Sequence, residues 1–134
     1  MSANGKSIPD RVHLLGIGGA GMSAIAEYLL SDKRQVSGSE LRDSLEIREL
    51  ASRGVAIYRE HAVTNLGDAE AIVTSDAIPR NNIELAEAQR RGLRVYRRAE
   101  FVDALGSGKK RIYVAGSHGK TTTTAMIARA LESA

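Results

Sequence analysis

Short apolar runs alternate with amphipathic stretches along the 134 residues. Residues 11–15 (RVHLL) are an apolar run that ends in a glycine turn. Beyond the turn, Met22, Ile25, Ala26, Leu29 and Leu30 fall at i, i+3, i+4, i+7 and i+8, one face of a helix. "QVSGS" (35–39) predicts a second strand. Ser44 then reads as an N-cap, with Ile47, Leu50 and Ala51 as a helical stripe and Gly54 as the stop. "VAIYR" (55–59) and "EAIVTS" (70–75) predict the third and fourth strands. Asn82 caps a helix ending at Gly92, followed by the strand "LRVYR" (93–97) and a helix over 98–105. The order β-α-β-α-β, then β-α-β, with short connections, predicts an α/β fold. Its form is a Rossmann-like doubly wound domain with a mainly parallel sheet.

"GSGKK" (106–110) reads as a linker, after which "RIYVAGSHGKTTTTAMIARALESA" starts a further strand, glycine turn and helix. The expected division is therefore a first domain over 1–108 and the start of a second, truncated one over 109–134. Length and composition agree with one globular domain: 43% of residues are hydrophobic and 26% charged. With no run of about 18 apolar residues and a polar N-terminus, neither a membrane span nor a secretory signal is expected. The absence of cysteine excludes disulfides and thiolate metal sites. Cytoplasmic location is the expectation. The net charge is +3, but the basic pairs are scattered and aromatic residues are only 4%, so base-stacking platforms are scarce and no nucleic-acid partner is expected.

Two glycine turns carry the candidate chemistry. The first has Gly16, Gly18 and Gly21 in G-x-G-x-x-G spacing between a strand and a helix. Glu40 follows 19 residues after Gly21, where a nicotinamide-binding domain places the acid for the ribose. Taken alone, these features favour a dehydrogenase domain. The second turn, "GSHGKTT" (116–122), is the sharper one. Its amides would surround phosphate oxygens, Lys120 would reach the β- and γ-phosphates, and the Thr121 hydroxyl would sit on Mg²⁺. Val114 replaces the first glycine of a full Walker pattern, leaving G-x-x-G-K-T. A dehydrogenase domain has no evident use for such a loop immediately downstream.

"HLLGIGGAGMSAIAEYLL", "VSGSE", "SDAIPRNN", "RRAEF" and "VAGSHGKTTTTAMIA" together resemble the start of a Mur ligase, from about residue 11 to the end. Within that family the pattern is most similar to the members that join L-alanine to UDP-N-acetylmuramate in peptidoglycan synthesis. The resemblance implies a UDP-sugar-binding first domain, followed by an ATP-binding domain and an amino-acid domain. It places the UDP-sugar diphosphate on Gly18, Gly19, Ala20, Gly21, Met22 and Ser23. Ser39 and Glu40 would lie beside the nucleoside, and Ser75, Ala77 and Ile78 would form its far wall. His61 has two open roles, a ligand contact or a surface histidine, whereas His13 is expected to pack. Gly116, Ser117, His118, Gly119, Lys120, Thr121 and Thr122 would form the ATP loop, with Lys120 catalytic and Thr121 a Mg²⁺ ligand. Asp76 departs from the family's small residue, and Glu40 from its usual aspartate. The implied partners are UDP-N-acetylmuramate, ATP and L-alanine. The chain alone is expected to be inactive, because the rest of the ATP and alanine sites would lie beyond residue 134. The readings from other classes are a nucleotide-sensing module and an NAD-binding dehydrogenase domain.

Overall fold

The structure, a computed structural model, describes residues 8–106. The strand expected at 111–116, the loop at 116–122 and the 108/109 boundary lie outside the described residues. Five strands, β1 (Arg11–Leu15), β2 (Gln35–Ser39), β3 (Ala56–Tyr58), β4 (Ala71–Thr74) and β5 (Arg94–Arg97), form one all-parallel sheet in the order β3-β2-β1-β4-β5. β1 is central, with Val12 beside Val36 on one side and Ala71 on the other. Four helices connect or follow the strands: α1 (Ala20–Ser31), α2 (Leu45–Ser52), α3 (Ile83–Arg90) and α4 (Arg98–Leu105).

Successive side chains of β1 point to opposite faces of the sheet and so into two cores. Val12 and Leu14 join Met22, Ile25, Leu29, Leu50 and Phe101 in the larger core, built with α1, α2 and α4. Leu15 joins Leu66, Ile72, Leu85 and Ala88 in the smaller one, built with α3. The expected α1 stripe is buried, with Leu30 partly so, and Tyr28 adds to it. In α2, Ile47 and Leu50 are buried while Ala51 faces out. Ser44 caps α2 by accepting from the Ile47 amide at 3.2 Å, and Gly54 follows the helix with φ +98°. Between β3 and β4 there is no α-helix, only a 3₁₀ turn at Val63–Leu66. That side of the sheet therefore stays open over β2 and β3.

Candidate functional site

The order β3-β2-β1-β4-β5 reverses direction between β1 and β4. Crevices at such switch points, outside the carboxyl ends of the strands, are where open α/β sheets bind ligands. The first glycine turn lies here. Gly16 leaves β1 at φ +69°, a conformation that L side chains rarely adopt. The amides of Gly16 and Ile17 then donate to the Ser39 carbonyl at 2.8 and 3.1 Å, tying the turn to the end of β2. α1 starts at Ala20 with Gly19 as a cap that has no side-chain bond. The amides of the first turn have no earlier helical carbonyl to meet. The first turn of α1 itself carries no acidic residue, so its own side chains do not oppose an anion.

Glu40 lies against this turn. Its Oε1 accepts from the Gly18 amide at 3.0 Å and its Oε2 from the Arg42 amide at 3.1 Å. A Cβ on Gly18 would stand 2.8 Å from Glu40 Oε1, so only glycine allows this approach without movement. The opposite wall follows β4. Ser75 Oγ accepts from the Ala77 amide at 3.3 Å, and the Ile78 amide donates to the Ser75 carbonyl at 3.0 Å. Ile78 Cδ1 comes within 3.5 Å of where a Gly16 Cβ would be, so the two loops meet.

The structure thus brings Gly18, Gly19, Ala20 and Gly21 together with Glu40, Ser75, Ala77 and Ile78. Three other expected residues turn their side chains inward. Met22 belongs to the core, the Ser23 hydroxyl donates to the Ala20 carbonyl at 3.1 Å, and Ser39 is fully buried. The backbone of Ser39 is engaged as well, its carbonyl by the Gly16 and Ile17 amides, and the Ser23 amide donates to the Gly19 carbonyl at 2.8 Å. Asp76 is exposed and forms an ion pair with Arg97. His61 is neither a surface histidine nor free of the fold, because its Nδ1 lies 3.1 Å from Glu84 Oε2 and 3.3 Å from Ser39 Oγ. His13 packs, as expected, but it also meets Glu84 Oε1 through Nε2 at 2.6 Å.

Three residues near the crevice were not singled out from the sequence. Glu84 is one, and its signal was available: at i and i+4 it shares a stripe with Ala88, and both are buried. Arg98 is the second, with its Cδ 2.9 Å from where a Gly21 Cβ would be, which lays the side chain beside the start of α1. Thr74 is the third, at the end of β4, with a buried hydroxyl lacking a hydrogen-bond partner among the described residues. A separate groove of about 430 Å³ runs along the open sheet face by Arg11, Arg34, Gln35, Gly54 and Asp68. Its cations are already engaged, Arg11 by Asp68 and Glu70 and Arg34 by Asp10 and Asp32, which leaves the crevice as the better anion site. Among the described residues, no cluster of three or more acidic or histidine side chains is arranged to hold a metal, and no helix is long and apolar enough to cross a membrane. The loop residues Gly116 to Thr122 lie outside the described residues.

Known proteins match this chain. The family model "Mur ligase family, catalytic domain" covers residues 11–110. The UDP-N-acetylmuramate–L-alanine ligase of Rubrobacter xylanophilus is 50% identical over 121 residues, which is 90% of this chain and 27% of that protein. The ligase of the same name from Saccharopolyspora erythraea is 48% identical over 135 residues, 98% of this chain and 28% of its own. Among solved structures, the UDP-N-acetylmuramate-alanine ligase of Thermotoga maritima superposes with a TM-score of 0.77 at 34% identity, over 91% of this chain and 29% of that one. A murein peptide ligase from Psychrobacter arcticus gives 0.73 at 27% identity, over 88% and 25%. The chain spans about a quarter of the length of the curated relatives it matches. With a family model matched over most of its length and a parallel α/β sheet shared with these structures, the chain belongs to the Mur ligase family.

Proposed function

We propose that this chain is the UDP-sugar-binding part of a cytoplasmic, ATP-dependent ligase that joins L-alanine to UDP-N-acetylmuramate. The observation that carries the reading is the glycine turn between β1 and α1, open to an anion and facing the Ser75–Ile78 loop across the switch point. The diphosphate would lie on the amides of Ala20, Gly21 and Met22 at the start of α1, with Arg98 beside them as a cation. The nucleoside would rest between the end of β2 at Ser39 and Glu40 and the wall at Ser75, Ala77 and Ile78. The near 50% identity to ligases of that name supports the choice of substrate.

In this reading residues 1–108 bind the UDP-sugar and 109–134 begin the ATP-binding domain. Lys120 would neutralise charge on the transferring phosphoryl group, with Gly116, Ser117, His118, Gly119 and Thr122 shaping the loop and Thr121 holding Mg²⁺. The lactyl carboxylate would attack the γ-phosphorus of ATP, giving an acyl phosphate and ADP. The alanine amine would then displace phosphate through a tetrahedral intermediate to form the amide. These roles rest on sequence spacing and family resemblance.

Calorimetric titration tests the ligand. UDP-N-acetylmuramate should bind more tightly than NADH, and ATP should bind weakly at most. NADH binding as tightly as the UDP-sugar would overturn the reading in favour of a dinucleotide site.

A further inference from the structure

Away from the glycine turn, β2, β1 and α3 bring a serine, a histidine and a glutamate into one chain of contacts. Ser37 Oγ lies 2.8 Å from His13 Nδ1, and His13 Nε2 lies 2.6 Å from Glu84 Oε1. His13 and Glu84 are fully buried, while Ser37 is partly exposed. The other carboxylate oxygen, Oε2, accepts from His61 Nδ1 at 3.1 Å, the Ala62 amide at 3.1 Å and Asn65 Nδ2 at 2.9 Å. Burial alone would raise the pKa of Glu84, but the bonds from His13 and Asn65 outweigh it and hold the carboxyl at about 2, so it is ionised at neutral pH.

An ionised carboxylate can only accept, so His13 Nε2 carries a hydrogen. In the neutral ring of that tautomer the lone pair falls on Nδ1, and Ser37 donates its hydroxyl hydrogen to it. The order is that of an activated nucleophile: a hydroxyl against a base, and the base oriented by a carboxylate. A histidine buried only for packing would be satisfied by any donor and acceptor. Here the hydroxyl belongs to a residue that opens on a cavity.

Ser37 lines the groove of about 430 Å³ on the open sheet face. The small side chain of Ala56 stands opposite it on β3, and no α-helix covers β2 and β3 on that side. Gln35, two residues before Ser37, shares its face, as Tyr58 shares that of Ala56. Both line the groove, and neither side chain has a hydrogen-bond partner among the described residues. The amides of β2 are committed to β1 and β3, so these two side chains are the donors left for charge developing on a substrate oxygen. The groove's cations are paired with carboxylates, Arg11 with Asp68 and Arg34 with Asp10 and Asp32, which favours an uncharged substrate.

We propose that Ser37, His13 and Glu84 form a nucleophilic triad that hydrolyses an uncharged, short-chain carboxylic ester bound in this groove. Ser37 Oγ attacks the ester carbonyl as its proton passes to His13 Nδ1, and Glu84 offsets the charge on the ring. The tetrahedral intermediate expels the alcohol, which takes the proton from Nδ1, and leaves an acyl ester on Ser37. Water, deprotonated by the same nitrogen, then releases the carboxylic acid and restores the hydroxyl. Ser37 and His13 are the catalytic residues, and Glu84 positions the ring. The inference does not depend on the UDP-sugar reading.

The test treats the whole chain with p-nitrophenyl acetate and, separately, with a fluorophosphonate that traps activated serines. Nitrophenolate release should begin with a burst of about one equivalent, the mark of an accumulating acyl-enzyme. Peptide mass spectrometry should place the phosphonyl adduct on Ser37. Ser37→Ala, which removes only a partly exposed hydroxyl, should lose the burst and about a hundredfold in turnover. Substituting His13 or Glu84 can unfold the core, so the adduct on the unsubstituted protein is the deciding readout. A serine that merely satisfies a buried histidine would give no adduct. Absence of an adduct at Ser37, an adduct on another side chain in its place, or unchanged hydrolysis by Ser37→Ala would overturn the proposal.

Discussion

Four donors converge on the Glu84 carboxylate, and the balance of forces there can be read by titration. Burial on its own raises the carboxyl pKa. Bonds from His13 and Asn65, the charge on His13 and the bond from His61 outweigh it and hold the group at about 2, against an ordinary 4.5. Between these values the unfolded chain binds more protons than the folded one. The contribution of Glu84 to stability is therefore complete above pH 4.5 and is lost as the pH falls through about 2. Urea unfolding followed by circular dichroism should show a midpoint that drops across that window, and Glu84→Gln should remove part of the drop. An equal drop in the variant would assign it to other carboxylates. The stripe that Glu84 shares with Ala88 was visible along the chain, but its partners were not, and a glutamate in the first turn of "IELAEAQR" reads as a solvated residue favoured by the helix dipole. Burial of Glu84 depends on partners from β1, the His61 loop and the 3₁₀ turn, which only the folded chain brings near it.

The strands and helices were legible for local reasons. Turns and caps mark their ends, and each cap acts within a few residues of the group it satisfies. Asn82 shows this well: its Oδ1 accepts from the amides of Glu84 and Leu85 at 2.8 and 3.1 Å, starting α3 where the sequence predicts it. The 3₁₀ turn was not legible, because "VTNL" has neither a helical stripe nor strand alternation and is held by a side chain 19 positions away, through the Asn65–Glu84 bond. The pieces of the candidate site divide in the same way. The glycine turn and the β4 loop could be read as motifs, while the inward rotation of Ser23 and Ser39 and the approach of Arg98 depend on tertiary packing. Asn82→Ala should lower stability by about 1 kcal/mol, as for other lost N-caps. The same substitution loosens the backbone that carries Glu84, so in NMR spectra the His13 and His61 ring signals should shift even though neither touches Asn82. Unchanged ring signals would mean that α3 holds Glu84 without its cap.

The whole domain is organised around β1, which pairs with β2 through a nearby helical crossover and with β4 only after most of the sheet has been traced. A parallel sheet of this kind needs long loops to close before its pairings stabilise it, which makes such folds slow to form. The bond between His13 and Glu84 is among the most distant in sequence, spanning 71 positions. It also requires β1, β4 and α3 to be in place already. A contact of that sort that formed after the rate-limiting barrier would act as a latch on the finished domain, with little part in assembling it. Removing one partner of a buried ionic pair costs about 3 kcal/mol or more. For a contact absent from the transition state, nearly all of that loss falls on the escape rate. In stopped-flow measurements, Glu84→Gln should unfold about a hundredfold faster while folding at an almost unchanged rate. Equal slowing of folding would place the latch in the nucleus instead. The buried His13–Glu84 pair would then set how long the native domain persists, a property separate from how quickly it forms.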